Sequence, residues 1–205
     1  MSSLFKKLFS QKLKSDSPQK SPGKPERGKY MPDVKSPADE RFTKHFILNG
    51  GKFLYCVDMK EVQESFDNIL LENDWYENEV FCIDDNLAER FKGYNLNFGR
   101  NQDANFFFST CENLVADDGS LLICSNQIKE KKLKELPQDF VIFATTSQIV
   151  NNIGEGLRGI KWKNTKSIPT NITTIKNFEP KEVSKDFMSY GSSAKNLYLL
   201  LLEDL

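Results

Sequence analysis

Histidine is nearly missing. His45 is the single one in 205 residues, so no site built on two or more imidazole ligands is possible. Four cysteines, Cys56, Cys82, Cys111 and Cys124, form no Cys-x-x-Cys pair. That argues against a zinc ribbon or a resident iron–sulfur cluster. No Gly-x-Gly-x-x-Gly turn follows a strand, and there is no P-loop or Gly-x-Ser-x-Gly elbow. No metal and no cofactor is therefore expected. The longest apolar run, residues 197–202, is far shorter than the roughly 20 residues of a membrane-spanning helix. Lys6 and Lys7 interrupt the apolar start, so a secretory leader is not expected. Apolar-flanked free cysteines such as Cys56 and Cys82 read as buried small hydrophobes and fit a reducing, cytoplasmic location.

What is present is unevenly placed. The 28 basic and 29 acidic residues nearly cancel, but residues 1–45 carry a net +6 and the rest a net −7. A body of that sign invites no nucleic acid. Residues 15–37 hold five of the eight prolines and few large apolar side chains. Such a segment cannot bury enough surface to offset its ordering entropy. The division expected is a basic, Pro/Ser/Lys-rich disordered tail over 1–37 and a folded domain over 38–205. Leu4, Phe5, Leu8 and Phe9, with Leu13 beyond, share a helical face. Residues 4–13 read either as a membrane-surface or partner-docking helix or as a frayed, solvated terminus.

The body alternates. Ser36-Pro37-Ala38-Asp39-Glu40 predicts a helix start capped by Ser36, with Phe42, Phe46 and Ile47 on its apolar side and Gly50-Gly51 as its stop. Residues 52–57 predict a strand. Asp58 with Glu61 predicts a capping box and a helix to about Glu72, striped by Val62, Phe66, Ile69 and Leu70. Strands are expected over 80–83, 106–110, 121–124, 140–144, 171–175 and 197–202, a short helix over 84–91, and a turn over 112–115. Ser147 is expected to cap a helix carrying Ile149, Val150, Ile153 and Leu157. Strands alternating with helices predict an α/β layer fold with a mostly parallel sheet. The continuous apolar runs at 141–144 and 199–202 predict strands covered on both faces.

Two loops carry candidate chemistry. In Ala116-Asp117-Asp118-Gly119-Ser120, Asp117 and Asp118 could bind a cation or supply a catalytic base, or simply form a turn. Thr145-Thr146-Ser147 follows the apolar strand at 140–144. Ligands gather at the carboxyl ends of strands in open α/β sheets. Its hydroxyls and free N–H groups would suit a small anion, or Ser147 is an ordinary cap. His45 reads as a partly exposed helix residue rather than a base.

Several of these pieces recur in one family. Ala116-Asp117-Asp118-Gly119-Ser120-Leu121-Leu122, Glu135-Leu136-Pro137, the strand at 140–144 and Ser147-Gln148-Ile149-Val150 resemble, in order and spacing, the LUD-domain family named for the lactate-utilization protein LutC. The family turn Ala-Glu-Thr-Gly-Thr/Ser keeps its carboxylate here, shortened, at Asp117. A family Ser-Gly-Pro-Ser is replaced by Asn177-Phe178-Glu179-Pro180, and a His-Gly-Pro motif by Tyr190-Gly191-Ser192-Ser193. Both later changes remove groups that would line a ligand pocket. The resemblance implies a three-layer α/β/α sandwich similar to the ribose-5-phosphate isomerase and CoA-transferase superfamily. It also implies a cytoplasmic role in L-lactate oxidation beside iron–sulfur oxidoreductase subunits.

Three functions follow. The first is an accessory or ligand-binding component of L-lactate or organic-acid utilization, with Asp117, Asp118, Gly119, Ser120, Thr145, Thr146 and Ser147 as candidate ligand-binding residues. The second is a stand-alone enzyme on a small phosphorylated or CoA-linked metabolite, with Asp117 or Asp118 as catalytic candidates. The third is an interaction protein with a degenerate pocket.

Overall fold

A computed structural model describes residues 36–178 and 195–204. Residues 1–35 of the tail, with the apolar segment at 4–13, and the altered motif at 190–193 lie outside the described residues.

Two continuous apolar segments set the architecture. Strand β10 (Asn196–Leu202) pairs in parallel with β7 (Asp139–Thr145) over seven residues, from Asn196 opposite Asp139 to Leu202 opposite Thr145. Around them a six-stranded sheet runs β1-β10-β7-β4-β2-β3, parallel throughout. Its other members are β1 (Lys52–Cys56), β2 (Glu79–Phe81), β3 (Asn97–Gly99) and β4 (Phe106–Thr110). Side chains of a strand alternate between faces. Phe140, Ile142, Ala144, Leu197, Leu199 and Leu201 therefore enter one buried cluster, and Val141, Phe143, Tyr198 and Leu200 the other. Both faces are apolar because both are covered.

The second cluster is roofed by α2 (Met59–Asn73) and α3 (Asp85–Arg90). Helix α2 begins as expected: Asp58 accepts from the Glu61 amide at 2.8 Å, and Glu61 accepts from the Val57 amide at 2.9 Å. Val62, Phe66, Ile69 and Leu70 are its buried stripe. Asp84 caps α3.

The first cluster is covered by α1 (Ala38–Leu48) and by a second, four-stranded sheet ordered β8-β5-β6-β9. Its strands are β5 (Asn113–Val115), β6 (Ser120–Ile123), β8 (Ile149–Val150) and β9 (Thr173–Ile175). Helices α4 (Ser125–Ile128) and α5 (Ile153–Lys163) complete the chain. The fold is α/β, a mostly parallel sheet between two covering layers, with the small sheet sharing one layer with α1.

Three local expectations are corrected. Ser36 does not cap α1. Pro37 takes the N-cap position, and the Ser36 carbonyl accepts from Arg41 instead. The expected turn at 112–115 is a strand, since residues 113–115 pair with β6 and β8. Ser147 does not open a helix. The β-branched pair Ile149-Val150 is drawn into β8 alongside Leu114 and Val115. The helix starts later, capped by Asn152, which accepts from the Glu155 amide at 3.0 Å.

At the amino end of β10 the Lys195 side chain is buried, only 2% exposed. Its ammonium donates to the Leu136 and Pro137 carbonyls at 3.0 and 2.8 Å. Burial pulls its pKa from 10.5 down to about 8, against a small opposing attraction from Asp139. At this one group an unfolded chain holds more protons than the native one between those pH values, so the contribution of Lys195 to stability rises as pH goes from about 8 to 10.5. The buried thiols, whose pKa values are raised, act in the opposite direction above about pH 9. Urea titrations across that range should therefore show Lys195→Met losing stability relative to the wild type as pH rises. An unchanged slope in the variant would refute the assignment.

Candidate functional site

The two candidate loops occupy different places. The first is the hairpin turn joining β5 to β6. Gly119 has φ of +70° there, and a Cβ would collide with the His45 carbonyl carbon and the Phe46 amide nitrogen of α1. Glycine is required twice, for conformation and for space. Asp118 folds back on its own turn, accepting from the Ser120 amide at 3.1 Å and the Ser120 hydroxyl at 2.7 Å.

Helix α1 seizes this turn along its length. His45 Nδ1 donates to the Ala116 carbonyl at 2.8 Å, and the Asn49 amide donates to the Asp118 carbonyl at 2.8 Å. The nearly buried Arg41 guanidinium donates to Asn151 Oδ1 at 2.9 Å and lies 3.5 Å from Asp117. Lys176 lies 3.6 Å from Asp118. Both aspartates thus already face cations of the same chain. This geometry joins α1 to the small sheet.

The second loop lies at the carboxyl end of the large sheet. After β7 the chain makes a tight turn over Thr146–Gln148. Gln148 holds it from below: its Oε1 accepts from the Thr145 amide at 2.8 Å, and its Nε2 donates to the Cys111 carbonyl. The turn's outward groups converge on one carboxylate. Asp204 Oδ1 accepts from the Ser147 amide and the Thr146 hydroxyl, both at 2.8 Å, and Oδ2 accepts from the Ser147 hydroxyl at 2.7 Å. Thr145 Oγ1 stands 3.0 Å from Ser147 Oγ. Desolvation would raise the Asp204 carboxyl, but these hydrogen bonds outweigh it and hold its pKa at about 2. The donors of the hydroxyl turn are engaged by a carboxylate of the chain itself. No hydrogen bond or ion pair links this cradle directly to the 117–120 turn among the described residues.

Asp204, Arg41 and Asn151 were not singled out from the sequence. Asp204 had a usable signal. If 140–144 and 197–202 are neighbouring parallel strands, the polar residues just past each must meet. Arg41 and Asn151 gave no such signal, being 110 positions apart.

The four cysteines are free and buried. Burial pushes the Cys82 thiol up to about 11 and the Cys124 thiol up to about 12, which leaves them poor nucleophiles near neutral pH. Among the described residues no group of three His, Cys, Asp or Glu side chains could hold a metal ion.

Comparison with known proteins bears on the same region. A family model described as LUD domain matches residues 98–198, from within β3 to the first half of β10 and including both loops. This stretch is similar to the LUD domain. A crystal structure of a DUF162 family protein from Deinococcus radiodurans is similar to it, with 11% identity and a TM-score of 0.57. The match covers 82% of this chain and 96% of that one, and at such identity it speaks for the fold. No curated protein matches the sequence. The matched stretch contains Thr145, Thr146 and Ser147 but ends before Asp204, so the cradle lies within it and the internal carboxylate outside.

Two outcomes are expected. Gly119→Ala combines a disfavoured backbone with a clash against α1, and should cost about 2–4 kcal/mol in chemical denaturation; a loss under about 0.5 kcal/mol would contradict the packing described. Asp204 is solvent-facing, so its hydrogen bonds should contribute only about 0.5–1 kcal/mol after screening. Because its pKa is depressed, that contribution is present above about pH 4 and fades as pH falls toward 2. Asp204→Asn should lose it at pH 7 and show a weaker acid dependence between those values; identical acid unfolding curves would contradict this.

Proposed function

We propose that this protein is an accessory, ligand-binding component of L-lactate or related organic-acid utilization, acting in the cytoplasm with iron–sulfur oxidoreductase subunits. The observation that carries the reading is the LUD-domain match over residues 98–198. The cradle adds chemical support. A small organic acid presents a carboxylate, and the 145–147 turn offers three donors arranged for one carboxylate group. In this reading the acid takes the position that Asp204 holds in its absence.

A second reading, an interaction protein without turnover, is favoured by the packing of the 117–120 turn. Its carboxylates are engaged by Ser120, Arg41 and Lys176, contacts that join the turn to the rest of the domain.

Deleting the gene and comparing growth and oxygen uptake on L-lactate and on glucose tests the proposal. A defect confined to L-lactate is expected, restored by the wild-type gene and less well by Thr146→Ala/Ser147→Ala. Equal growth of the deletion strain on both carbon sources would overturn it.

A further inference from the structure

The most exposed large apolar side chain among the described residues is Trp162, at 82%. It sits near the end of α5, whose orientation is fixed from below. Ile160 and Gly156 are buried, and a Cβ at Gly156 would press on Leu122 at 3.0 Å. At 100° per residue, Trp162 then points away from the buried side. Arg158, one turn earlier, shares its outer side. Lys161 and Lys163 flank it in sequence, and Lys166 with the exposed Ile168 follows. None of these four cations stands within ion-pair distance of a carboxylate among the described residues, though the Lys163 charge helps to lower the Glu112 carboxyl and the Arg158 charge that of Glu155.

The charge of this segment is opposite to its surroundings. Residues 153–176 carry five basic side chains and one acidic, whereas the chain from 46 onward is acidic overall. The helix dipole accounts for lysines in a last turn. It does not account for a tryptophan standing in water among them.

We propose that the outer side of α5, centred on Trp162, docks on an anionic membrane surface. Indole is the side chain that settles at the headgroup level, with an apolar body and one N–H donor. Long lysine and arginine stems lie along apolar surface while their charges reach lipid phosphates. A protein partner fits the composition less well, because lysine is depleted from protein–protein interface cores. No helix is long and apolar enough to cross a membrane among the described residues, so the contact is peripheral, charge-assisted and sensitive to salt.

The sequence supplies its own reporter. There are two tryptophans, and the other, Trp75, is buried against Phe106. The full chain is mixed with phosphatidylglycerol-rich vesicles, with phosphatidylcholine vesicles and with polyglutamate, following tryptophan emission, acrylamide quenching and co-sedimentation. Phosphatidylglycerol vesicles alone should shift the emission to the blue and protect it from quencher. High salt should reverse both changes. Trp162→Phe should abolish the spectral change, and Lys161→Ala/Lys163→Ala/Lys166→Ala should lower partitioning about tenfold or more. All four positions are exposed, so these variants keep the fold. Co-sedimentation without a change at Trp162 would place the contact elsewhere on the chain and overturn the proposal. So would equal binding to phosphatidylcholine, or a shift with polyglutamate only, which would mark the face as a site for an acidic protein.

Discussion

The register between β10 and β7 is the constraint on which the rest of the molecule depends. Seven residues of one strand lie opposite seven of the other, without a bulge. Because the strands are parallel, their beginnings and their ends meet at opposite edges of the sheet. At one edge Lys195 reaches the carbonyls that precede β7, and Asn196 reaches the Asp139 side chain. At the other, Asp204 reaches the turn that follows β7. A slip of one residue would reverse every side chain between the two clusters. It would also strand a buried ammonium and unseat a carboxylate.

The two faces of that sheet are closed by different means. The face under α2 and α3 is closed by interlocking rings: Phe66 meets Phe91, Tyr94, Phe106 and Phe108, and Trp75 stacks on Phe106 with centroids 4.5 Å apart. Such pairs add about 0.5–1.5 kcal/mol each beyond their area. The opposite face is closed partly by the small sheet, whose strands are two to four residues long. Strands that short do not stand alone. They are held because Arg41, His45 and Asn49 bind α1 to their hairpin turn and Gly119 lets the helix approach it.

This difference explains what the sequence disclosed. The two central strands of the large sheet are long and mostly apolar, so residues 140–144 and 197–202 announced themselves, as did the Asp58 and Glu61 box. The turn after the first of these strands reads as a set of hydroxyl and N–H donors, but its contact with Asp204 is not legible, because Asp204 comes to Ser147 across 57 positions. The short strands were the hardest to read. Ile149 and Val150 fit a helical face as well as a strand, and only pairing with Leu114 and Val115 decides between them. Glu112 to Val115 looks like a turn until β6 and β8 are placed on either side. Local pattern fixes elements that are stable by their own burial, and tertiary pairing fixes those that are not.

The place of β10 has a further consequence for biosynthesis. Of the described strands it leaves the ribosome last, yet it fills a slot between β1 and β7, and among the described residues β1 has no other neighbour in the sheet. Until it arrives, the nascent domain presents two open edges and a gap through its apolar centre. Unpaired edges of that kind recruit strands from other chains. The interval between synthesis of β7 and of β10 is therefore the window in which this protein is most exposed to misassembly and most in need of a chaperone. Anything that slows translation over residues 146–195 lengthens it.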